Sequence, residues 1–246
     1  MQDHVPSPAT GSAIVFGASG AIGRALVTHL LGSGRFRAVH AGVRDTASPV
    51  PAGAIPFRFN LADESSILDA AQSFAAPELV LVATGLLHDQ ARQIAPEKSW
   101  RAIDGSAMAE VFAANAIGPA LIAKHVLSML PRDRRAVFAV LSARVGSIGD
   151  NRLGGWHSYR ASKAALNMLV RNFAIELARS HPQALAVALH PGTVDSRLSA
   201  PFQRGVAPEK LFSPDQTVGH LLDVLVKLGP ADSGGLFAWD GARLPE

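Results

Sequence analysis

Short apolar runs alternate with longer amphipathic stretches along the whole chain. The apolar runs are broken by glycine, proline or charged residues, as buried parallel strands are. The stretches between them repeat apolar residues at helical spacing, so each would bury one face. The predicted strands are residues 13–16, 38–43, 55–59, 79–83, 136–141, 185–190 and 236–239. The predicted helices are residues 22–31, 64–74, 100–129, 158–178 and 214–227.

This alternation predicts an α/β fold with a doubly wound parallel sheet of about seven strands and helices on both faces. The 246 residues suffice for one large domain, and no long linker or repeat divides them. We therefore expect a single domain over residues 13–246. Residues 1–12 are polar and contain proline, which predicts a flexible N-terminal tail.

Composition excludes several kinds of site. The chain has no cysteine, so disulfides, thiolate metal sites and a cysteine nucleophile are excluded, and nine histidines without clustered spacing lead us to expect no metal. The apolar runs are too short to span a membrane and no secretory signal pattern is present, so we expect a cytoplasmic protein. The net charge of +3 comes from scattered arginines, which fit an anionic cofactor as well as nucleic acid; we expect no nucleic-acid partner.

A tyrosine and a lysine at helical spacing are the first candidates for catalysis. Tyr159, the only tyrosine in the chain, and Lys163 are four residues apart and would share one face of a helix. A fixed cation nearby favours the phenolate, so we expect Lys163 to lower the pKa of Tyr159 into a range useful for acid–base chemistry. The alternative is a surface helix with a solvated lysine.

A glycine-rich turn follows the first predicted strand. Gly17 would permit the tight turn, Gly20 the close approach of a pyrophosphate, and Gly23 the packing of the next helix on the sheet. About 20 residues further on, the second strand ends in Arg44 and Asp45, where a dinucleotide site places its ribose contact. Arg44 favours NADP, Asp45 leaves NAD possible, and an ordinary exposed loop is the alternative.

These features, taken in chain order, resemble the short-chain dehydrogenase/reductase superfamily over nearly the whole chain. The resemblance rests on the glycine turn, Asn115, Ser142, the Tyr159–Lys163 pair and the Pro-Gly pair that begins at residue 191. The segments 142–148, 154–163 and 237–241 are similar to the branch with sniffer-type carbonyl reductases and the myxobacterial C-factor. The resemblance implies a Rossmann-like, NAD(P)-binding domain.

The resemblance also implies roles for matching positions. Tyr159 would exchange a proton with the substrate oxygen, Lys163 would support it and bind the nicotinamide ribose, Asn115 would hold a relay water, and Ser142 would be the catalytic hydroxyl. The implied reaction moves a hydride between NADP (NAD possible) and a small carbonyl or alcohol substrate. The implied cofactor contacts are Gly17, Ser19, Gly20, Ile22, Gly23, Arg44, Asn60, Leu61, Ala83, Thr84, Gly85, Tyr159, Lys163, Pro191 and Val194.

Three departures from the family pattern bear on this expectation. Ala21 stands where the second glycine of the turn is usual, and the segment ending in Thr84 and Gly85 lacks a usual asparagine. Counting back from Gly146 puts Ala143, rather than Ser142, at the position of the catalytic serine. Ser142 would then face the other way on a regular strand, and Ser147 is an alternative donor.

Substrate recognition is expected from residues 86–89, from Trp156 and from residues 196–213, whose composition fits a lid or an ordinary surface loop. The resemblance implies a homodimer or homotetramer formed through helices 100–129 and 158–178. The alternative function is a non-catalytic, nucleotide-binding regulatory or signalling protein of C-factor type, which the alanine at 143 favours and the intact tyrosine and lysine oppose.

Overall fold

The central strands are apolar on both faces, as strands between two layers of helices must be. The computed structural model describes residues 11–246. Its strands are β1 (Ser12–Phe16), β2 (Ala38–Val43), β3 (Ile55–Arg58), β4 (Pro77–Val82), β5 (Ala136–Leu141), β6 (Ala184–His190), β7 (Thr193–Val194), β8 (Leu211–Phe212), β9 (Leu236–Ala238) and β10 (Arg243–Leu244). Its helices are α1 (Ala21–Gly32), α2 (Glu64–Gln72), α3 (Gly105–Phe112), α4 (Gly118–Val126), α5 (His157–Leu177) and α6 (Pro214–Lys227).

The strands confirm the predicted doubly wound sheet. The order is β10-β9-β6-β5-β4-β1-β2-β3, and all neighbours are parallel except the short edge strand β10, which runs antiparallel to β9. This eighth strand is one more than the seven expected. The chain leaves β1 towards β2 and β3, then returns to place β4 on the other side of β1. This reversal of direction opens a crevice at the carboxyl ends of β1 and β4, where such sheets bind ligands.

Alternate residues of each strand supply two separate cores. Ile14 and Phe16 of β1 pack with α2, α4 and α5 on one face of the sheet. Ala13 and Val15 pack with α1 and α6 on the other face. The period-two alternation of a strand explains how one strand serves both layers.

The predicted helix over 100–129 is wrong as a continuous element. A single 3₁₀ turn, Trp100–Ala102, precedes a break at which the Asp104 side chain accepts a hydrogen bond of 2.8 Å from the Ala107 amide and starts α3. A π-helical segment, Ala113–Ile117, then joins α3 to α4. The stretch Gly105–Met129 is long and apolar enough to cross a membrane. Within the domain the stretch packs against α2 and α5, which buries part of its apolar surface.

Two predicted segments remain to be compared with the structure, the N-terminal tail and the lid. Residues 1–10 of the predicted tail lie outside the described residues, and Ser12 already belongs to β1. The predicted lid, residues 196–213, contains two 3₁₀ turns and β8, whose pairing with β7 fixes the end of the segment to the domain. Its role as a lid stays a prediction.

Truncation of a buried residue on α6 should unfold the protein more readily than truncation of an exposed neighbour. Leu221 is 1% exposed and Val226 is 69% exposed. Leu221→Ala should lower the free energy of unfolding by about 2–5 kcal/mol, because it leaves a cavity between α6 and the sheet. Val226→Ala should change it by less than about 0.5 kcal/mol. Urea denaturation followed by circular dichroism measures both; equal losses would contradict the assigned packing of α6.

Candidate active site

Tyr159 and Lys163 lie on the buried face of α5, one helical turn apart. The side-chain nitrogen of Lys163 lies 5.8 Å from the centre of the Tyr159 ring. The same nitrogen donates a hydrogen bond of 2.8 Å to the carbonyl oxygen of Leu141, the last residue of β5. The structure therefore brings the predicted pair together at the carboxyl edge of the sheet.

Burial changes the proton affinities of both side chains. It raises the pKa of Tyr159 to about 12 and lowers the pKa of Lys163 to about 7, because the charged form of each group loses its hydration. The expected lowering of the Tyr159 pKa by Lys163 is therefore outweighed by desolvation in this structure. At neutral pH the phenol is therefore protonated, but a pKa this far above neutral makes it a weaker acid than an unperturbed tyrosine.

Asn115 is fully buried in the π-helical segment. Its side-chain oxygen accepts a hydrogen bond of 2.7 Å from the Leu86 amide. Its side-chain nitrogen donates to the Leu86 carbonyl oxygen at 2.8 Å and to the Ser162 hydroxyl at 3.0 Å. These bonds fasten the segment after β4 to the helical layer beside Tyr159. The water-holding role of Asn115 stays a prediction.

Ser142 faces α5 rather than the opposite side of the sheet. Its hydroxyl donates a hydrogen bond of 2.7 Å to the side-chain oxygen of Asn167, one turn beyond Lys163 on α5. Ser147, the alternative donor, accepts a hydrogen bond of 3.1 Å from the Asp150 amide. Each hydroxyl thus has a structural partner, and the catalytic role of Ser142 stays a prediction.

The glycine turn has the shape that the sequence predicts. Gly17 has a φ of +90°, and a Cβ there would lie 2.9 Å from the Ala83 carbonyl oxygen. A Cβ on Gly23 would lie 2.1 Å from the Gly17 carbonyl oxygen, so α1 can approach the turn only through a glycine. Gly20 precedes α1 and is exposed; a Cβ there would meet only the Gly17 carbonyl oxygen at 3.4 Å. With no side-chain cap and no acidic residue in its first turn, α1 offers amide N–H groups that could hold a phosphate.

The remaining predicted residues near the turn differ in exposure. Ser19 is exposed, whereas Ile22 is half-buried against the core of the α1 layer. The amide of Ala83 donates to the Phe16 carbonyl oxygen at 2.8 Å, which holds the β4 end beside the turn. Ser19 is therefore the member of this group that can reach a ligand with its side chain.

The end of β2 favours a cationic ribose contact. Arg44 is exposed and, within residues 11–246, its guanidinium makes no hydrogen bond or ion pair. The Asp45 carboxylate instead accepts a hydrogen bond of 2.9 Å from the Ala47 amide, which turns it into the local loop. Asn60 accepts a similar local bond from the Ala62 amide at 3.1 Å, and Leu61 packs against Gly118.

Thr84 and Gly85 border the crevice between the turn and α5. The Thr84 hydroxyl is buried and has no hydrogen-bond partner within residues 11–246. A Cβ on Gly85 would lie 3.7 Å from the Asn115 side-chain oxygen and 3.9 Å from the Lys163 nitrogen. The glycine therefore keeps the approach to both side chains open.

Pro191 and Val194 follow β6 on the far side of the crevice. Pro191 is half-buried. Val194 is buried because it pairs with Phe212 between β7 and β8. The structure thus places Pro191, but not the side chain of Val194, at an accessible surface.

Aromatic rings cluster beside the phenol. The Trp156 ring lies 6.2 Å from the Tyr159 ring and 4.9 Å from the ring of Phe202, which belongs to the predicted lid. His88 lies 5.7 Å from Phe202, and its ring contacts the Arg197 carbonyl oxygen at 3.1 Å. These contacts join all three segments predicted to recognise a substrate.

One buried residue of the site was missed by the sequence analysis. Glu97 is 7% exposed and hydrogen-bonds Ser158 at the start of α5. No sequence signal points to this contact, because Ser158 alone looks like an ordinary N-cap and Glu97 is 61 positions away.

The sequence is similar to that of a known protein family and of several characterised proteins. The family described as short chain dehydrogenase matches residues 12–206. The "C-signal" of Myxococcus xanthus is 35% identical over 144 residues, which are 58% of this chain and 81% of that protein. A 1-hydroxy-2-glutathionyl-2-methyl-3-butene dehydrogenase of a Rhodococcus species is 35% identical over 130 residues, 53% of this chain. The match spans only 54% of that dehydrogenase.

Solved structures share the whole fold. The NADPH-bound carbonyl reductase from chicken fatty liver superposes with a TM-score of 0.81 at 27% identity, covering 95% of this chain and 98% of that one. The carbonyl reductase Sniffer of D. melanogaster superposes with a TM-score of 0.82 at 19% identity, covering 96% and 100%. At 19% identity, the similarity to Sniffer shows a shared fold and nothing further.

The sole tyrosine makes the pKa of the phenol directly measurable. We expect the phenolate absorbance of the folded protein to titrate with a pKa of about 12, against an ordinary value of 10.0. Because the folded protein holds this proton more tightly, Tyr159 stabilises the fold fully below about pH 10 and loses that contribution as the pH rises towards about 12. Ultraviolet titration measures the phenolate, and circular dichroism on the same samples reports whether the fold persists. Phenolate in the folded protein below pH 10 would show instead that Lys163 outweighs burial.

Proposed function

Because the chain belongs to the short-chain dehydrogenase family, we propose that this oxidoreductase uses NADPH to reduce a carbonyl group of a small molecule, with Tyr159 as the acid. The proposal rests on one observation above all. A buried phenol that keeps its proton at neutral pH lies beside a lysine, at the crevice next to the glycine turn. An acid placed there can protonate a substrate oxygen.

The residues around the crevice fit a dinucleotide. The uncapped start of α1 would hold the pyrophosphate, the unpartnered Thr84 hydroxyl offers a polar contact, and Gly85 leaves room next to Lys163. A bound nicotinamide supplies the hydride that reaches the carbonyl carbon. The NADPH-bound chicken liver reductase, similar over nearly the whole of both chains, supports this choice of cofactor.

The chain's own residues would handle the proton and the orientation. Tyr159 donates its proton to the carbonyl oxygen as negative charge develops there. Lys163 in its protonated form, which with a pKa of about 7 is part of the population at neutral pH, would stabilise the phenolate that remains, since buried charges interact strongly. Asn115 keeps the neighbouring segment in place through its bonds to Leu86.

The shape of the entrance supports an apolar substrate. The aromatic rings of Trp156 and Phe202 lie close to the phenol, Trp156 at 6.2 Å from the Tyr159 ring and 4.9 Å from the Phe202 ring. Such rings favour an aldehyde or ketone with an apolar substituent. Residues 196–213 would have to move to admit it, which is the lid role proposed for them.

Replacement of the phenol tests the reaction. Tyr159→Phe removes only the hydroxyl, so it should lower kcat by about 10²–10⁴-fold, the usual contribution of a positioned acid. NADPH binding should stay within about twofold, since the ring and Lys163 remain. The measurement is oxidation of NADPH over a panel of aldehydes, ketones and diketones, with cofactor affinity from fluorescence titration. Undiminished turnover in Tyr159→Phe would rule out Tyr159 as the acid.

Charge at the end of β2 tests the cofactor preference. Arg44→Ser should weaken NADPH binding by about tenfold or more, because a charge-assisted bond to the 2′-phosphate is lost, and should leave NADH within about threefold. Arg37 is also exposed and immediately precedes β2, at its opposite end. Arg37→Ser changes the net charge equally and should leave both affinities unchanged. Equal weakening by the two variants would reduce the preference to a general charge effect.

The second candidate function is nucleotide binding without catalysis, in a regulatory or signalling role. The likeness to the M. xanthus C-signal and the alanine at 143 favour it. Tight binding of NADPH without turnover over the whole panel would select it. The retained Tyr159–Lys163 pair is the observation against it.

A homodimer or homotetramer remains part of the proposal. Exposed apolar side chains lie on the two helices that the resemblance assigns to the contact: Met168 and Ile175 on α5 and Ile117 just before α4. A partner subunit would cover them.

A further inference from the structure

The helix that carries Tyr159 has no cap of its own. α5 has 21 residues, its N-cap residue Trp156 makes no side-chain cap, and its first turn contains no acidic residue. The first amides of a helix need hydrogen-bond acceptors, and their partial positive charge favours an anion. This end of α5 is buried close to the phenol, so water is a poor substitute there.

Glu97 supplies the missing cap from a distant part of the chain. Both carboxylate oxygens accept from the Ser158 amide, each at 3.2 Å, and one also accepts from the Ser158 hydroxyl. The backbone carbonyl oxygen of Glu97 accepts from the Trp156 amide at 2.5 Å. One residue therefore binds three groups at the start of α5, across a separation of 61 positions to Ser158.

The turn that Glu97 holds is strained. Gly154, Gly155 and Trp156 have φ values of +64°, +64° and +50°, three consecutive residues in the left-handed region. Two are glycines, but for tryptophan this conformation is strained and persists only where the surroundings impose it. The bond from the Trp156 amide to Glu97 is one such constraint. It fixes the ring that lies over Tyr159 and Phe202.

The segment that carries Glu97 is itself anchored. Asp89 and Ile94 exchange two backbone hydrogen bonds of 2.9 and 2.8 Å, and the side chains of Leu87 and Ile94 are buried. A cavity of about 10 Å³ beside this segment is lined by Glu97, Ser158 and Tyr159 together with apolar side chains. The carboxylate and the phenol thus border the same small space.

Burial of a carboxylate without an ion pair needs compensation. Within residues 11–246 Glu97 forms no ion pair, and its hydrogen bonds go to the start of α5. An uncompensated buried charge strongly destabilises the folded state. The stabilisation must come from Ser158 and the helix dipole, so the position of the carboxylate and that of the helix start depend on each other.

We propose that Glu97 is a positioning residue: it caps α5 and fixes the Trp156 turn, and so holds Tyr159 and the aromatic entrance in register for the reaction. The proposal rests on the proposed function for its catalytic consequence. Glu97 contacts neither the phenol hydroxyl nor Lys163 through a hydrogen bond. Its effect is therefore exerted through Ser158 and Trp156.

Three substitutions separate positioning from other roles. Glu97→Gln keeps an acceptor oxygen at the same reach but removes the charge, Glu97→Asp keeps the charge but shortens the reach, and Glu97→Ala removes both. Glu110→Gln is the matched control, because Glu110 is an exposed carboxylate paired with Arg92. Each variant is assayed for NADPH affinity, for kcat and KM with a small and a bulky aldehyde, and for thermal stability.

Positioning predicts a split among these readouts. Glu97→Ala should lower kcat by about tenfold or more for both aldehydes, since small displacements of an acid cost that much, and should raise KM for the bulky one. Glu97→Gln should retain kcat within about threefold, Glu97→Asp should fall between them, and NADPH affinity should stay within about twofold in all. The control should match wild type throughout.

Two results would overturn the proposal. A kcat per folded molecule that is unchanged in Glu97→Ala, with only a lower melting temperature, would assign Glu97 a structural role alone. A loss in Glu97→Gln as large as that in Glu97→Ala would assign the carboxylate a proton-transfer role. If Glu97→Ala does not fold, Ser158→Ala takes its place, because it removes the hydroxyl donor and leaves the backbone bond.

An assay of the wild-type protein distinguishes failure of the proposed function from failure of the positioning proposal. If wild type binds NADPH but turns over no substrate, the reductase proposal fails. Whether Glu97 caps α5 and fixes the Trp156 turn, which we call the Glu97 clamp, is then tested by amide hydrogen exchange. Amides of residues 156–160 should exchange at least about tenfold faster in Glu97→Ala and at nearly the wild-type rate in Glu97→Gln. Equal exchange in wild type and Glu97→Ala would overturn the clamp without reference to catalysis.

Discussion

The close docking of α5 against the carboxyl end of β5 is the constraint on which the site depends. A Cβ on Gly146, in the turn after β5, would lie 2.7 Å from the Cβ of Lys163 and 2.8 Å from its carbonyl carbon. Only glycine permits this approach. The bonds from Lys163 to Leu141 and from Ser142 to Asn167 then join the strand end to two successive turns of the helix. The distance from Tyr159 to the crevice is thereby set by packing in the interior, which deforms little.

The buried polar side chains of the site bind backbone groups of other elements as well as one another. Lys163 binds the end of β5, Asn115 binds Leu86 after β4, and Glu97 binds the start of α5. Each bond satisfies a buried group whose isolation would be costly, and each also ties two segments together. The groups that carry charge or protons are thus also the tertiary links of the site, so a change in one alters both electrostatics and geometry.

The sequence predicted the features that depend on local pattern. The helical spacing of Tyr159 and Lys163, the glycine turn and the ends of the strands follow from periodicity and from residues that only certain conformations accept. It did not predict the break before α3, because the apolar pattern continues through Asp104 and only its side-chain cap interrupts the helix. It also missed Glu97, whose partner is 61 positions away. The pKa of Tyr159 was predicted in the wrong direction, because the effect of Lys163 can be read from spacing whereas the depth of burial cannot.

The catalytic role predicted for Ser142 would depend on the orientation of the Asn167 side-chain amide on α5. The Asn167 side-chain nitrogen is buried and has no partner within residues 11–246, while the oxygen accepts the Ser142 proton at 2.7 Å. A half-turn of this amide would exchange its two atoms, so that the nitrogen donates to the serine oxygen and the buried donor is satisfied. The proton of Ser142 would then be available to another acceptor, such as an oxygen that gains negative charge beside Tyr159. If Ser142 has the catalytic role predicted for it, the orientation of the Asn167 amide would govern whether its hydroxyl can donate to a substrate; with the amide oxygen facing the serine, Tyr159 would be the only donor.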